Sequence, residues 1–378
     1  MNNRDTINPV HLAHHWFMSR RGGERTVEEI ARLFPSAAIS TLFLDRRTLP
    51  ADFAARSFVV SPLGRLAPRL CGHRRLLPFF PWAVRQLAAP VGTKLLVSSD
   101  AAVIKGMRRP ADCVHVCYCH SPPRYLWDMS GDYARQTAGL GPIGRWVFEN
   151  TVSRLQEFDR AAAAGVDHFI ANSGFVAERI RRSYGREAVV LAPPVEVERF
   201  KPSSRTGDFY LVVSELVSYK RVDLAVAACT QTGRRLVVVG DGPEMHRLRT
   251  DAGASVQFRG RVSDNEVAVL MAECRALLHP QIEDFGITAV EVQAAGRPVI
   301  AFRGGGAVET VVENETGIFF DEQTPESLAA VLHKFEACAA EFSAGNCRRQ
   351  AERFAPDIFR RELSRRLKQF MPESQPWW

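Results

Sequence analysis

The sequence predicts an α/β protein built from two doubly wound, parallel-sheet domains. Three observations support this prediction. The chain has 378 residues, which exceeds one ordinary hydrophobic core. Short apolar runs alternate with helix-like segments in both halves, and this alternation indicates parallel strands joined by helices. A segment rich in Pro, Ser and charge separates the halves and is typical of a linker.

The first half, residues 1–195, is predicted as the N-terminal domain. A helix-like segment, "RTVEEIARLF", comes early in it. The strand-like runs are "AAISTLFL", "KLLVSS", "CVHVCYC" and "HFIANS". All are far shorter than the roughly 20 apolar residues that a membrane-spanning helix needs. The linker is predicted at residues 196–206.

The second half, residues 207–353, repeats the alternation more regularly. Its strand-like runs are "FYLVVSEL", "RRLVVVG", "SVQFRG", "ALLHP", "RPVIAF" and "GIFF". Helix-like segments such as "RVDLAVAACTQ" and "NEVAVLMAEC" lie between them. The tail, residues 354–378, contains a basic amphipathic helix that we expect to pack back on the N-terminal domain.

The stretch "EDFGITAVE" places two glutamates eight residues apart, Glu283 and Glu291. A helix from about Ile287 puts Glu291 one turn inside it and leaves Glu283 in the preceding loop. Gly296 is predicted to end that helix, and Pro298 forbids its continuation. The local order of strand, loop, helix and strand belongs to a parallel sheet, whose ligands gather at the carboxyl ends of strands.

The net charge of +7 is unevenly distributed. Residues 1–195 hold 26 Lys and Arg against 16 Asp and Glu, whereas the remainder holds 23 against 26. The basic half indicates contact with something anionic. No nucleic-acid motif accompanies it, so we expect no nucleic-acid partner. The N-terminus lacks the pattern of a signal peptide, which predicts a cytoplasmic protein.

Two motifs suggest cofactors but lack the residues that cofactors require. The cluster "HVCYCH" at residues 115–120 has no second Cys/His pair at zinc-finger spacing, which favours a buried strand over a zinc site. In "VVVGDGPEM", Pro243 follows the second glycine and no third glycine completes a dinucleotide fingerprint. We therefore predict neither a metal nor a nicotinamide cofactor.

Four motifs of the second half resemble one known family. They are "SELVSYKRVDLAV", "VVVGDGPE", "FRGRVSDNEVAVLMAECRALLHP" and "EDFGITAVEVQAAGRPVIAFRGGGAVETV". Their order and spacing over about residues 207–335 resemble retaining glycosyltransferases of family four. In the first half, "RGGERTVEEI", "YCHSPPRYLWD" and "HFIANSGFVAERI" match. The combination of "CHSPPRYLWD" with "EDFGI" is similar to bacterial mannosyltransferases of cell-surface polysaccharide synthesis. The resemblance implies the GT-B fold, two Rossmann-like domains facing across a cleft.

The resemblance also implies site residues in the second half. Glu291 would accept two hydrogen bonds from the ribose hydroxyls of a nucleotide, and Glu283 would accept from hydroxyls of the donor sugar. The backbone amides of Phe285, Gly286 and Ile287 would face the sugar or the phosphates.

Lys220 resembles the family lysine that neutralises the departing diphosphate. Many family members carry an arginine five residues before this lysine, where this chain has Glu215. Arg221 or Arg303 is expected to replace that second phosphate clamp.

Three residues of the first half resemble family positions. Gly22 and Gly23 would let backbone amides approach the phosphates. His120 resembles the histidine that ends a strand and touches the donor sugar. An ordinary turn and a structural histidine are the alternatives for these positions.

The implied reaction moves a hexose from a nucleotide-sugar to a hydroxyl of a glycan or lipid-linked acceptor, with retention and without a metal. The leaving phosphate would help deprotonate the acceptor, so no protein base is assigned. GDP-mannose is the first choice of donor, and UDP-sugars are alternatives. A sugar-nucleotide 2-epimerase and a non-catalytic nucleotide-sugar binding protein are rival hypotheses.

A segment of the basic half suggests contact with the inner face of a membrane. The run "LLPFFPWAV" contains Phe79, Phe80 and Trp82. The flanking arginines are Arg65, Arg69, Arg74, Arg75 and Arg85. Aromatic rings at the headgroup boundary and guanidinium groups on lipid phosphates would give a peripheral anchor. The alternative is that the aromatic side chains belong to the core.

Overall fold

The computed structural model describes residues 9–66, 73–127 and 141–371. The chain divides into two compact units. The first unit runs to Pro193 and resumes at Phe359, and the second unit is Pro194–Ile358. Each unit contains its own parallel sheet and its own buried core.

The described part of the first unit contains a seven-stranded parallel sheet. Its strands are β1 (Val10–Phe17), β2 (Ile39–Leu44), β3 (Phe58–Val60), β4 (Leu95–Asp100), β5 (Val114–Cys119), β6 (His168–Ala171) and β7 (Ala188–Val190). The strand order is β3-β2-β1-β4-β5-β6-β7. The order reverses between β1 and β4, and such a switch point is where doubly wound sheets bind ligands.

The helices of the first unit precede or follow these strands. They are α1 (Gly22–Leu33), α2 (Ala51–Ala54), α3 (Pro62–Leu66), α4 (Phe80–Arg85), α5 (Arg124–Trp127), α6 (Gly141–Ala164) and α7 (Gly174–Tyr184). Local chemistry sets the ends of α7. The Ser173 side chain accepts from the Val176 amide, and Gly185 ends the helix at φ 65°.

Strand β1 was not among the predicted strands. His11, His14 and His15 interrupt its apolar pattern, yet all three are buried. The sheet accommodates His11 because its Nε2 atom lies 2.8 Å from the Ser40 Oγ on β2. Buried polar side chains with hydrogen-bond partners are stable in a core, and a hydrophobic pattern does not reveal them.

The second unit contains a six-stranded parallel sheet. Its strands are β8 (Phe209–Val213), β9 (Arg235–Val239), β10 (Val256–Gly260), β11 (Leu277–His279), β12 (Val299–Phe302) and β13 (Gly317–Phe320). The order is β10-β9-β8-β11-β12-β13, with the switch point between β8 and β11. The prediction of two doubly wound parallel sheets is confirmed.

The helices of the second unit, with the last helix of the described chain, are α8 (Val222–Thr232), α9 (Met245–Asp251), α10 (Asp264–Glu273), α11 (Ile287–Ala294), α12 (Ala307–Thr310), α13 (Pro325–Cys338), α14 (Ala344–Glu352) and α15 (Pro356–Phe370). Helix α11 begins where the sequence predicted. Gly296, at φ 80°, follows its end as expected.

Residues 196–206, predicted as a linker, are part of the second unit. Val197 and Phe200 are buried there. The Arg348 guanidinium on α14 donates to the backbone carbonyls of Val197 and Phe200, at 2.8 and 2.7 Å. This distant arginine and a short 3-10 turn at Val197–Arg199 fix the segment within the second unit.

Helix α15 packs into the core of the first unit from Phe359 onward. Phe359, Leu363 and Leu367 are at most 2% exposed within the cluster that also contains Val10 and Leu12. The Phe370 ring stacks on His168, with ring centroids 4.2 Å apart.

The segment predicted to contact a membrane is partly core. Phe80 is fully buried, whereas Phe79 and Trp82 are 56% and 49% exposed. Phe80 lies in a cluster with Phe43 and Leu96 because it opens helix α4 on the face that covers the sheet. The expectation that all three rings lie at a lipid surface is therefore wrong for Phe80.

The structure describes the side chains of two of the five arginines around this segment, Arg65 and Arg85. Arg65 is exposed, and the Arg85 guanidinium lies 5.2 Å from the centre of the Phe158 ring. Arg69 and the side chains of Arg74 and Arg75 lie outside the described residues. Across residues 9–66, 73–127 and 141–371, no helix combines the length and apolar character needed to cross a membrane.

Candidate active site

Two adjacent strands of the second unit bring Lys220 and Glu283 together. Lys220 ends a 3-10 turn after β8, and Glu283 lies in the loop after β11. The Lys220 ammonium forms a salt bridge with the Glu283 carboxylate, and their side chains are 16% and 24% exposed. The sequence predicted both residues for one site, and the structure places them in direct contact at the carboxyl ends of neighbouring strands.

Glu283 has a second contact that sequence reasoning missed. The Gln281 Nε2 atom lies 3.2 Å from the Glu283 carboxylate and 3.2 Å from His279 Nδ1. Gln281 and His279 are almost fully buried. Burial lowers the pKa of His279 to about 4, with a smaller lowering by Lys220 and an opposing effect of Glu283. Neutral His279 and Gln281 therefore form a hydrogen-bonded chain that ends on the Glu283 carboxylate and orients it. The available signal was their position at the end of an apolar strand, where His279 is the last residue of β11 and Gln281 follows it closely.

The loop that carries Glu283 leads into helix α11 through a left-handed glycine. Gly286 has φ 90°, a conformation that favours glycine. The Phe285 side chain is 4% exposed and packs against Phe354 at a ring distance of 5.3 Å. What remains at the opening of the helix is backbone, including the amide of Ile287. Glu291 lies half-buried in the second turn.

The triple glycine after β12 fits closely against this loop. A Cβ atom on Gly306 would lie 2.4 Å from the Phe285 Cα, and one on Gly305 would lie 2.3 Å from the Glu283 carbonyl. The Gly306 amide also donates to the Glu283 carbonyl, at 2.9 Å. Larger residues at these positions would displace the Glu283 loop. The run of three glycines was the signal for this close approach, although the sequence analysis assigned it no role.

The two arginines considered as phosphate clamps lie in different surroundings. Arg221 follows Lys220 at φ 48° and lies within 3.4 Å of the Asp223 carboxylate. Arg303 pairs with Glu313 at 2.7 Å and with Asp321 at 2.6 Å. The hydrogen bonds that Arg303 donates to these two carboxylates raise its pKa. Arg303 is thus already occupied by two anions, and Arg221 is the arginine next to the Lys220–Glu283 pair.

In the first unit, Gly22 and Gly23 open helix α1 after β1. The Glu24 carboxylate accepts from the Arg21 amide at 3.0 Å, and the Thr26 hydroxyl donates to the Gly22 carbonyl at 2.8 Å. These bonds fix the glycine turn. A Cβ on Gly23 would lie 3.7 Å from His14 and 3.8 Å from His120, so the structure brings the glycine turn beside His120.

His120 follows β5 at the carboxyl end of the sheet. The Asn172 side chain donates to its carbonyl at 2.9 Å, and its Nε2 atom lies 2.8 Å from Ser99 Oγ. Burial lowers the pKa of His120 to about 3, with a smaller lowering by His15 and an opposing effect of Asp100. The imidazole is therefore neutral at physiological pH.

A buried arginine fixes the loop after His120. Arg179 on α7 is 2% exposed and hydrogen-bonds to the Ser121 hydroxyl and the Pro122 carbonyl. The matched segments "YCHSPPRYLWD" and "HFIANSGFVAERI" thus meet at this loop. An arginine in an otherwise apolar helix face was the signal that sequence reasoning did not use.

A buried ion cluster supports the strand beside His120. Lys105 pairs with Asp100 and Asp159, and all three side chains are at most 2% exposed. Asp159 also accepts from the Trp127 indole at 2.8 Å and from the Tyr184 hydroxyl at 2.7 Å. The His120 amide donates to the Asp100 carbonyl at 2.8 Å. The Lys105 ammonium lies between two carboxylates, and neutral donors satisfy the remaining carboxylate oxygens, so the cluster holds the ends of β4 and β5.

The structure thus offers two groups of residues, each at the switch point of one sheet. The second unit offers a cation, a carboxylate and a helix opening, and the first offers a glycine turn and a neutral histidine. In the part of the chain that the structure describes, no three His, Cys, Asp or Glu residues are arranged to hold a metal ion.

Comparison with known proteins gives two family matches. Residues 20–199 match the model described as Glycosyltransferase Family 4, and residues 195–353 match the model described as Glycosyl transferases group 1. Together with the two doubly wound sheets, these matches define a glycosyltransferase of the GT-B class. Within that class the chain belongs to glycosyltransferase family four, as the motifs predicted.

One curated relative is a mannosyltransferase. The chain is 32% identical over 202 residues to a GDP-mannose-dependent alpha-(1-6)-phosphatidylinositol monomannoside mannosyltransferase of Mycobacterium tuberculosis, covering 45% of this chain and 52% of the relative. The chain therefore matches about half the length of this curated relative.

Two solved structures share the fold. One is Anabaena HepE in complex with UDP and glucose, with a TM-score of 0.66, 20% identity, and coverage of 95% of this chain and 99% of that one. The other is a sucrose-phosphate synthase from Thermosynechococcus elongatus, with a TM-score of 0.69, 18% identity and coverage of 95% and 98%.

Proposed function

We propose that the protein transfers a hexose from a nucleotide-sugar to a hydroxyl of a glycan or lipid-linked acceptor, with retention at the anomeric carbon. The observation that carries this proposal is the contact between Lys220 and Glu283 at the switch point of the second unit. A cation beside a carboxylate suits a substrate that presents both phosphate oxygens and sugar hydroxyls.

The proposal gives each residue of the second unit a chemical task. Lys220 neutralises the diphosphate as it departs, assisted by Arg221. Glu283 accepts hydrogen bonds from hydroxyls of the donor sugar, and Glu291 accepts from the ribose hydroxyls. The amides at Phe285, Gly286 and Ile287 donate to sugar or phosphate oxygens.

The first unit is proposed to bind the acceptor and to contribute Gly22, Gly23 and His120 to donor contacts. Catalytic roles are assigned to Glu283, Lys220 and His120. The fixed glycine turn and the neutral imidazole beside it support the assignment of the first-unit residues, because both are preorganised without a ligand.

In the proposed reaction the bond between the anomeric carbon and the leaving phosphate oxygen breaks, and the acceptor oxygen bonds to that carbon on the same face. The acceptor proton passes to the leaving phosphate. No protein base and no metal ion is needed in this scheme, and the Lys220 ammonium stabilises charge that grows on the diphosphate.

GDP-mannose is the proposed donor, and the named activity of the mycobacterial relative supports this choice. UDP-sugars are the alternative donors, because Anabaena HepE, which shares the fold, was solved in complex with UDP and glucose. A panel of GDP-mannose, UDP-glucose, UDP-galactose and UDP-N-acetylglucosamine, scored for slow hydrolysis and for thermal stabilisation, tests the donor. Stabilisation by none of them would contradict the proposal.

Two rival functions predict different products. A 2-epimerase would isomerise a labelled donor without any acceptor, and a binding protein would leave the donor intact. Incubation of the protein with labelled donor and a lipid-linked acceptor separates transfer, isomerisation and binding in one experiment. Transfer of label to the lipid is the expected result.

We also propose a reversible contact between the first unit and the inner face of a membrane, where a lipid-linked acceptor would lie. The exposure of Phe79 and Trp82 supports it, together with the arginines around them in the sequence. Each surface cation contributes about 1 kcal/mol on an anionic membrane.

A further inference from the structure

Three side chains on neighbouring strands of the first unit form a chain of hydrogen bonds. The His14 Nδ1 atom on β1 lies 3.0 Å from the Ser99 carbonyl oxygen and 3.1 Å from the Ser99 hydroxyl on β4. The same hydroxyl lies 2.8 Å from Nε2 of His120, at the end of β5. His14 and Ser99 are fully buried. The protons in this chain determine what His120 can offer to a ligand.

The Ser99 carbonyl fixes the proton on His14. A carbonyl oxygen only accepts, so Nδ1 of His14 must be the donor. The opposite tautomer would turn two lone pairs toward each other. It would also bury an N–H on Nε2, which has no hydrogen-bond partner among the described residues, and an orphaned buried donor is costly. Burial, with His15 and His120 nearby, lowers the pKa of His14 far below its ordinary value, which excludes a second proton.

The Ser99 hydroxyl must then give its proton to His120. Because His14 Nδ1 already carries a proton, the Ser99 oxygen can only accept on that side. If His120 Nε2 also carried a proton, the Ser99 hydroxyl hydrogen would be buried without an acceptor within the described chain. When Ser99 donates to His120 Nε2, the His14 Nδ1 proton and the Ser99 hydroxyl proton both have an acceptor, and only the lone pair of His14 Nε2 lacks a partner among the described residues.

We propose that Ser99, oriented by His14, is a positioning residue that holds His120 as the neutral tautomer with its proton on Nδ1. His120 then acts as a hydrogen-bond donor to a ligand oxygen and not as a base. Its part in the reaction rests on the proposed function. His120 is half-buried, and no described residue hydrogen-bonds to its Nδ1 atom, so this N–H is available at the end of β5, beside Gly23.

This proposal opposes the default behaviour of histidine. A neutral imidazole in water carries its proton mainly on Nε2, so an Nδ1–H form requires a specific partner for Nε2. The ligand oxygen that accepts this hydrogen bond belongs either to the donor sugar or to the phosphates of the nucleotide. Nucleotides with and without the sugar distinguish these two sources.

The protein offers a matched control for Ser99. Ser98, the preceding residue on β4, is equally buried, and its hydroxyl lies 2.8 Å from Nε2 of His115. Ser98→Ala thus removes a serine–histidine bond of the same length on the opposite face of the strand. A general effect of losing such a bond would appear in both variants, whereas the proposed effect on His120 requires Ser99.

The direct test is the tautomer of His120, read from two-bond nitrogen–proton correlations in protein labelled with ¹⁵N-histidine. The His120 signals are identified by their loss in His120→Gln. We expect an Nδ1–H form in the wild type and in Ser98→Ala, and a dominant Nε2–H form in Ser99→Ala. If Ser99→Ala does not fold, Ser99→Cys, with a weaker donor of similar size, should lower the Nδ1–H population. A wild-type proton on Nε2, or an unchanged tautomer in the Ser99 variant, would overturn the proposal.

Ligand titrations and kinetics test the donor role. A shift of the His120 Nδ1 signal with GDP or UDP alone identifies a phosphate oxygen, and a shift only with GDP-mannose or UDP-glucose identifies a sugar oxygen. No shift with any of the four contradicts the role. Ser99→Ala should lower kcat for donor hydrolysis about tenfold, the loss typical of one hydrogen bond, with KM unchanged and Ser98→Ala near wild type. If the wild type neither transfers nor hydrolyses any donor, the proposed function fails while the tautomer spectra still decide this inference.

Discussion

At the scale of single residues, the Lys220–Glu283 pair carries the main chemical expectation. In the free protein each side chain neutralises the other. When a diphosphate binds, the Lys220 ammonium interacts with it as well as with Glu283. This interaction becomes more stabilising as negative charge builds up on the leaving diphosphate. A fixed cation therefore favours the transition state over the ground state.

Lys220→Ala should lower kcat more than it raises the donor KM, because charge on the leaving diphosphate increases along the reaction. Steady-state kinetics of donor hydrolysis measure both parameters. Lys334→Ala, which removes an exposed lysine on α13, is the control. Equal losses in the two variants would mean that Lys220 has no special role.

Glu283→Gln should likewise lose most turnover with the fold intact.

Glu291→Ala should weaken nucleotide binding by ~1.5–3 kcal/mol, the amount expected when a charged hydrogen bond is lost. Calorimetry with GDP and UDP measures this loss. Glu326→Ala removes an exposed glutamate from the first turn of α13 and should change neither affinity. Unchanged affinities for both nucleotides in Glu291→Ala would rule out the ribose assignment.

At the scale of structural elements, the loop between β11 and α11 depends on the glycine run after β12. Gly306→Ala should displace the Glu283 loop, because its Cβ would lie 2.4 Å from the Phe285 Cα. We expect a loss of ~1–3 kcal/mol in unfolding free energy, the range for overpacking, and lower donor turnover. Thermal unfolding and hydrolysis assays measure the two effects.

Gly345→Ala is the control for this loop, since the nearest atom to its Cβ is the flexible end of Arg349 at 3.5 Å. This variant should retain stability and turnover. A Gly306→Ala protein as stable and active as Gly345→Ala would contradict the close approach of the two loops.

The segment from residue 73 to helix α4 should bind anionic vesicles if the proposed membrane contact exists. Binding should weaken in high salt, in Arg74→Glu with Arg75→Glu, and in Trp82→Ser, because charge and exposed rings both contribute. Sedimentation with vesicles measures it, and donor hydrolysis serves as the control for folding. Absence of binding at low salt, or binding indifferent to the charge reversal, would reject this surface.

The elements also indicate how far the sequence could be interpreted. Helix α11 and the second-half strands were predictable because apolar periodicity and glycine ends coincide there. Strand β1 was not, because its buried histidines depend on partners in other strands, such as Ser40. Glu283 and Lys220 were predictable from motifs, whereas Gln281 and Ser99 act through contacts that no local pattern encodes.

At the scale of the whole molecule, buried histidines make stability depend on pH. His11 and His115 are almost fully buried, and burial lowers their pKa from 6.5 to about 4 and about 3. Protons therefore bind the unfolded chain first as the pH falls. The stabilising contribution is complete above about pH 6.5 and is lost progressively below it, at up to about 1.4 kcal/mol per pH unit for each histidine.

Urea unfolding at pH 7, 6 and 5 should show this loss of unfolding free energy. His115→Gln should make the dependence shallower, because one group that binds a proton only after unfolding is removed. His246→Gln, at an exposed position, should leave the slope as in the wild type. Identical slopes in the two variants would contradict the assignment to buried His115.

The return of helix α15 to the first unit has a consequence for biosynthesis. A ribosome delivers residues in order, so the second unit is complete before Phe359, Leu363 and Leu367 emerge. Until then the first unit lacks part of its core and leaves apolar surface uncovered. The first half of the chain is therefore the half that finishes folding last, and during synthesis it is the half that most needs protection from aggregation.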